Sequence, residues 1–165
     1  MTWLFEEGTF VPLAKLVGER SYSIAYDHLG TPTAAYDEAG NRIWQRELDI
    51  YGCFRQEEGE TNFIPFLYQG QYYDHETKLA YNRFRYYAPE WGMYISQDPI
   101  RLEAGLTNLY AYVHDTNGWI DPFGLVALGG SYGLVRSSNL GGEVNHVPAF
   151  GAYKNTTLGL SHYKG

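Results

Sequence analysis

Between Tyr22 and Gly92 the chain keeps setting short apolar–polar alternations against turns built from Asp, Gly, Pro or Asn, a rhythm that points to antiparallel β-hairpins. Tyr22, Ile24 and Tyr26 alternate with Ser23 and Ala25, the period of a half-buried strand. Asp27-His28-Leu29-Gly30-Thr31-Pro32 turns the chain, and Thr33 to Tyr36 pairs back. Asp37-Glu38-Ala39-Gly40-Asn41 makes the next turn, where Gly40 and Asn41 best tolerate positive φ. A further strand carries Trp44, Leu48 and Ile50 on one face and Gln45, Glu47 and Asp49 on the other. Phe54 to Asn62 is polar and reads as an exposed loop. Phe66–Tyr73 then leads into the turn Asp74–Lys78, Leu79–Tyr87 runs back, and Ala88–Gly92 turns again. Tyr73-Asp74-x-Glu76 and Tyr87-Ala88-Pro89-Glu90 look like degenerate copies of one hairpin unit, of the kind that stacks into an extended sheet.

Composition agrees with a mainly β chain. Aromatic residues make up 17%, with 16 Tyr against 2 Met, alongside 19 Gly and 7 Pro, which favours strands and turns over helices. One segment departs from this: Leu106, Leu109, Tyr110 and Val113 fall at helical spacing and predict a short helix near 106–113. A net charge of -7 argues against a nucleic-acid surface spread over the whole chain. The single cysteine, Cys53, excludes an internal disulfide. No apolar run approaches the ~20 residues that would span a bilayer, and the acidic start Met1–Glu7 lacks the features of a signal peptide. These readings predict no membrane contact and a cytoplasmic site of synthesis, with any export needing a dedicated machine or a larger parent protein.

Beyond Leu125 the character changes. Val126–Gly133 is small and glycine-rich, as a linker would be, and the boundary is set there: a core segment at 1–125 and a variable region at 126–165.

The ordered series Tyr26-Asp27-His28-Leu29-Gly30-Thr31-Pro32, Gly70-Gln71-Tyr72-Tyr73-Asp74, Tyr81-Asn82-Arg83-Phe84-Arg85-Tyr86-Tyr87, Ile95-Ser96-Gln97-Asp98-Pro99-Ile100, Asn108–Val113 and Asp121-Pro122-Phe123-Gly124-Leu125 resembles the core of the Rhs/YD-repeat polymorphic toxins. The resemblance covers about Trp3 to Leu125. It implies YD-repeat hairpins that belong to a hollow β-shell around a toxic C-terminal domain, this segment plugging one end. It also implies partners: the remainder of an Rhs shell, an immunity protein, and components of a secretion system such as type VI, in competition between bacteria. The chain would then be a truncated piece of such a toxin, carrying the end of the core and the start of an effector.

In that family the chain is cut after the Asp-Pro-x-Gly-Leu motif by an aspartate pair. The resemblance assigns the pair to Asp98 and Asp121, and the cut to the bond between Leu125 and Val126, as a single-turnover aspartyl self-cleavage needing no cofactor. Two carboxylates sharing a site do not both ionise easily, so one can activate water while the other polarises the carbonyl. Both aspartates precede proline, where Asp commonly starts a turn, and spacing alone favours that structural role. Two positions depart from the family pattern: Met93, where it carries arginine, and Lys78, where it favours glycine.

Downstream, Gly141–Ala149 resembles the opening motif of HNH/endonuclease VII-like toxins, with His146 as the general base and a divalent metal held by partners that an intact nuclease would supply. The second half of such a site is missing, since His162 is the only later histidine. Nucleic acid would be a substrate only of a complete effector. Two other functions remain open at this point: a non-enzymatic structural remnant of the shell, and a metal-dependent HNH-like nuclease. Gly129-x-Ser131-x-Gly133 imitates a nucleophile elbow without the strand–turn–helix context that motif needs. His28, His75 and His114 lie in separate turns, with no zinc-like spacing.

Overall fold

The computed structural model describes residues 1–99, 108–125 and 128–129. The first sheet is a six-stranded meander of Thr2–Phe5 (β1), Pro12–Val17 (β2), Arg20–Tyr26 (β3), Pro32–Tyr36 (β4), Arg42–Leu48 (β5) and Phe54–Glu58 (β6), paired in chain order. The second is a four-stranded meander of Tyr72–Asp74 (β7), Leu79–Asn82 (β8), Arg85–Ala88 (β9) and Met93–Tyr94 (β10). A two-stranded ladder joins Trp119–Ile120 (β11) to Leu128–Gly129 (β12). All these pairings are antiparallel. The mainly β reading therefore holds.

One local device closes three of the five hairpins of the first sheet, β3–β4, β4–β5 and β5–β6. Asp27 Oδ1 accepts the backbone N–H of Leu29 and of Thr31, both at 2.9 Å. Asp37 does the same for Ala39 and Asn41, and Asp49 for Tyr51 and Cys53. The residue three after each aspartate is a glycine at positive φ (84°, 82° and 87°), a conformation that costs other residues about 1–2 kcal/mol. Asp-x-x-Gly is thus a self-contained turn, which is why the Asp27 and Asp37 turns were legible from spacing.

Two apolar clusters lie under the sheets. Trp3, Ile24, Ala35, Trp44, Phe63, Ile64 and Phe66 form one, and Leu67, Tyr68, Ala80, Tyr87, Tyr94 and Tyr112 the other. The connection from Phe63 to Phe66 is pinned by two buried cations. Lys15 Nζ donates to the Phe63 carbonyl at 2.7 Å and lies 3.6 Å from that ring's centroid. Arg46 donates to the carbonyls of Ile64 and Phe66. Burial lowers the Lys15 ammonium below its usual range.

Four expectations are corrected. Asp49 and Ile50, expected at the end of a strand, lie in a turn: β5 stops at Leu48, and Asp49 Oδ1 accepts the N–H of Tyr51 and Cys53. Phe54–Glu58 is an edge strand, not a loop: its main chain pairs with β5, and its polar side chains suit an edge. Leu79–Tyr87 is two strands, because Arg83 takes φ 58° and reverses the chain, setting Asn82 opposite Arg85. Over its described part, 108–113, the predicted helix is replaced by a turn and a bridge between Ala111 and Met93. The Tyr110 and Leu109 carbonyls accept instead from the backbone of Tyr94 and Asp98, so tertiary pairing overrides the local period. Residues 106 and 107 lie outside the described residues.

Candidate active site

The Arg83 turn carries the centre of the site. It places Arg85 at the start of β9 with its side chain inward, 3% exposed, between the segments that follow β10 and β11. Its Nη2 is 3.0 Å from Asp98 Oδ2 and 3.2 Å from Asp121 Oδ2. Asp98 is 4% exposed and Asp121 fully buried. The two aspartates expected to act together therefore meet the same guanidinium nitrogen. Nε of Arg85 donates to the Gly124 carbonyl at 2.5 Å, Nη1 to the Leu109 carbonyl at 3.3 Å, and the guanidinium lies 3.6 Å from the centroid of the Tyr94 ring.

Asp121 is held from every side. Its Oδ1 accepts the N–H of Leu125 at 2.9 Å, and its Oδ2 accepts the Tyr94 hydroxyl at 2.9 Å as well as Arg85. Asn82 Nδ2 donates to the Tyr94 hydroxyl (2.7 Å) and to the Asp121 carbonyl (2.9 Å), while its Oδ1 is buried with no hydrogen-bond partner among the described residues. The backbone N–H of Asp121 donates to the Tyr112 hydroxyl. Burial drives the Asp121 carboxyl above the usual range, against the Leu125 amide, the Tyr94 hydroxyl and the Arg85 charge, which all favour the anion. Burial and the nearby Asp121 charge raise the Tyr94 phenol well above its normal value, so it stays protonated and donates.

Close packing fixes the turn that follows. Gly124 has φ 69°, and a Cβ there would run into the Asn82 carbonyl oxygen; one at Gly70 would run into the carbonyl of Pro122. Asp121–Leu125 therefore has one geometry available, with the Leu125 amide on the Asp121 carboxylate. Val126, on the far side of the expected cut, lies outside the described residues, and so do His146 and the rest of the 126–165 region apart from β12.

Arg85 was not singled out from sequence. Its signal was parity: Arg85 shares the inward face with Tyr87, while Tyr86 between them is exposed. Met93 lies on β10, 37% exposed, and the guanidinium between the aspartates is supplied by Arg85. Lys78 takes φ 58°, the conformation that explains a family preference for glycine. The three histidines stay apart: His28 contacts the Asn117 carbonyl, His75 packs on Tyr73, and His114 on Trp119. Among the described residues no group of three or more His, Cys, Asp or Glu could hold a metal ion, and no helix is long and apolar enough to cross a membrane.

A cleft of about 260 Å³, lined by Asp27, Thr31, Glu47, Asp49, Tyr68 and Asn117 among others, includes neither Asp98 nor Asp121.

Residues 7–118 match the family model described as the teneurin YD-shell. The chain is 35% identical over 148 residues to the double-stranded DNA deaminase toxin A of Burkholderia cenocepacia, covering 87% of this chain and 10% of that protein. It is 44% identical over 110 residues to toxin protein Tse5 of Pseudomonas aeruginosa, covering 62% of this chain and 8% of that one. The chain thus spans a tenth or less of the length of these two relatives. Among solved structures, TcdB2-TccC3-TEV superposes with a TM-score of 0.62 at 23% identity, over 74% of this chain and 6% of that one, a likeness of fold.

Proposed function

The chain belongs to the Rhs/YD-repeat polymorphic toxin family, and from that premise we propose that it is a shell-closing core segment that cuts its own chain once, between Leu125 and Val126. The observation that carries this reading is the convergence of Asp98 and Asp121 on Arg85, with Asp121 also bonded to the amide of Leu125. Two carboxylates and one guanidinium buried together are neutral only when one carboxyl keeps its proton, and a net buried charge is costly. Burial favours that proton on Asp121. Asp98 is then the base. It takes a proton from water as the oxygen adds to the Leu125 carbonyl, while Asp121 polarises that carbonyl. The C–N bond breaks as the proton that Asp98 took from the water passes to the Val126 nitrogen, which leaves a Leu125 carboxyl group, a free Val126 amine and both aspartates in their starting states. Tyr94 and Arg85 hold the carboxylates in place, and the intramolecular setting supplies the proximity.

On this reading 1–125 is the core and 126–165 the opening of an effector. Similarity to proteins named as a DNA deaminase toxin and as deoxyribonucleases supports nucleic acid as the target of a complete effector. An immunity protein and a secretion system would be partners of the whole toxin. The second reading, a structural module without chemistry, is favoured by the same guanidinium, because a buried ion triad can serve only to fix a turn.

The intact mass of the purified chain beside an Asp98→Asn control separates the two. Two pieces meeting at Leu125–Val126, absent in the control, are expected. A single uncut mass in both leaves only the structural module.

A further inference from the structure

We propose that β11 is a main-chain clasp for the polypeptide beyond the cut: the edge of Trp119–Ile120 captures the backbone of Leu128–Gly129 and so presents the Leu125–Val126 bond to the aspartates. This rests on the self-cleavage reading and adds its recognition element. The ladder pairs Trp119 with Gly129 and Ile120 with Leu128. The segment was expected to be a glycine-rich linker, and nothing in its composition favours a strand.

The position of the ladder gives it meaning. Upstream of the bond the chain is fixed by the Leu125 amide on Asp121, the Gly124 carbonyl on Arg85, and the packing of Gly124 against Asn82. These contacts hold one side of a peptide bond, and a bond held on one side can still rotate away from an attacking group. Downstream, only Val126 and Ala127 intervene before β12. The bond is thus bracketed between a packed turn and a paired strand, within a connection of 121–127. Asp121 stands next to Ile120, so one short segment carries both a catalytic carboxylate and the clasp strand.

The kind of recognition follows from the kind of contact. Strand addition binds through N–H and C=O groups that every residue except proline possesses. A clasp of this type tolerates changes of side chain after the cut and rejects an imino acid. That suits a junction where a constant core meets downstream sequence of a different character.

The test uses the full chain, purified unfolded and refolded by dilution to start the clock, with intact mass read over time. Three chains are compared: wild type, Leu128→Pro with Gly129→Pro, and Leu128→Thr with Gly129→Val. The double proline removes both amide donors of β12, while Thr and Val keep them in strand-forming residues. Near-UV circular dichroism of the tryptophans and tyrosines checks that the core has refolded in each. Expected is similar cutting in wild type and the Thr/Val chain, and cutting slower by on the order of 10²-fold in the proline chain, the scale for a misplaced reacting bond. A proline chain that cuts at the wild-type rate overturns the clasp and leaves the self-cleavage reading standing. So does a Thr/Val chain as slow as the proline one, because recognition would then lie in the side chains. An uncut wild type overturns the self-cleavage reading, and the clasp with it.

Discussion

Replacing Arg85 by methionine keeps much of the buried stem and deletes the charge that Asp98 and Asp121 share at 3.0 and 3.2 Å. Removing one partner of a buried ion pair costs about 3–5 kcal/mol, since the other charge stays behind uncompensated. The carbonyls of Leu109 and Gly124 also lose a donor, about 1 kcal/mol each. The total is about 5–7 kcal/mol, against about 5–15 kcal/mol for a whole domain. The sign with pH follows from the charge. Arg85 is one of the groups holding the Asp121 carboxyl down, so without it that carboxyl rises further. The deficit is therefore largest at neutral pH and shrinks as acid neutralises the carboxylates. Urea unfolding followed by tryptophan fluorescence at pH 7 and pH 4.5 measures both, with Trp3 and Trp44 buried as reporters. Adding Asp98→Asn and Asp121→Asn to the methionine chain is expected to recover most of the charge term at pH 7. A deficit independent of pH, or no recovery in the triple variant, would refute the account of Arg85 as the counter-charge of the pair.

Gly124→Ala is expected to slow self-cleavage by on the order of 10²-fold, because the new Cβ meets the Asn82 carbonyl and must push the turn off the aspartates. Gly40→Ala is its control: the backbone penalty of about 1–2 kcal/mol is the same in kind, but the space is open, so the urea midpoint drops while intact-mass kinetics stay unchanged. Asp121→Asn tests the buried carboxyl through pH. Its folded pKa lies above the unfolded value, so its contribution to stability is full below about pH 3.9 and is lost as pH rises through the folded pKa. The unfolding free energy of wild type minus that of the variant should therefore fall between acid and neutral pH, and a difference that grows with pH would show the carboxyl to be stabilised as an anion.

What could be read from the sequence divides along a physical line. The Asp27 and Asp37 turns were legible because donor, acceptor and glycine all lie within five residues; the Asp49 turn has the same parts, but the alternation of β5 carried the strand reading on through Ile50 and hid it. The Arg83 turn was not legible, because a non-glycine residue at φ 58° is accepted only where packing compensates it. Here the aromatic pair Tyr81–Tyr86 lines up across the two strands that the turn joins. Missing that turn hid Arg85 and Asn82, since neither residue has a reason to face inward until the hairpin exists. Asp98 and Asp121 came from resemblance alone; a pair brought together by Arg85 leaves no local periodicity. The same holds for β6 and β12, whose strands are made by a neighbour's free edge rather than by their own composition.

The Asp-Pro-x-Gly-Leu motif is itself one of the hairpin turns. Asp121 Oδ1 accepts the N–H four residues on at 2.9 Å, as Asp27, Asp37 and Asp49 do at 2.9, 2.8 and 2.9 Å, and Gly124 fills the left-handed position as Gly30, Gly40 and Gly52 do. Yet the two carboxyls shift in opposite directions. At Asp37, on the surface, the Asn41 side-chain amide and the backbone N–H groups of the turn hold the carboxyl below its usual range; at Asp121 burial outweighs the hydrogen bonds and pushes it up. The turn geometry therefore does not make a reactive carboxyl. Two things distinguish the last turn: it is covered by Tyr94 and Tyr112, and it shares a cation with a second aspartate. A surface turn such as Asp37–Asn41 has the motif's shape but neither the partner carboxylate nor the desolvation, and the bond after Asn41 should be as inert as any other peptide bond. On the proposed self-cleavage reading, reactivity at Leu125 comes from where a repeated turn has been buried.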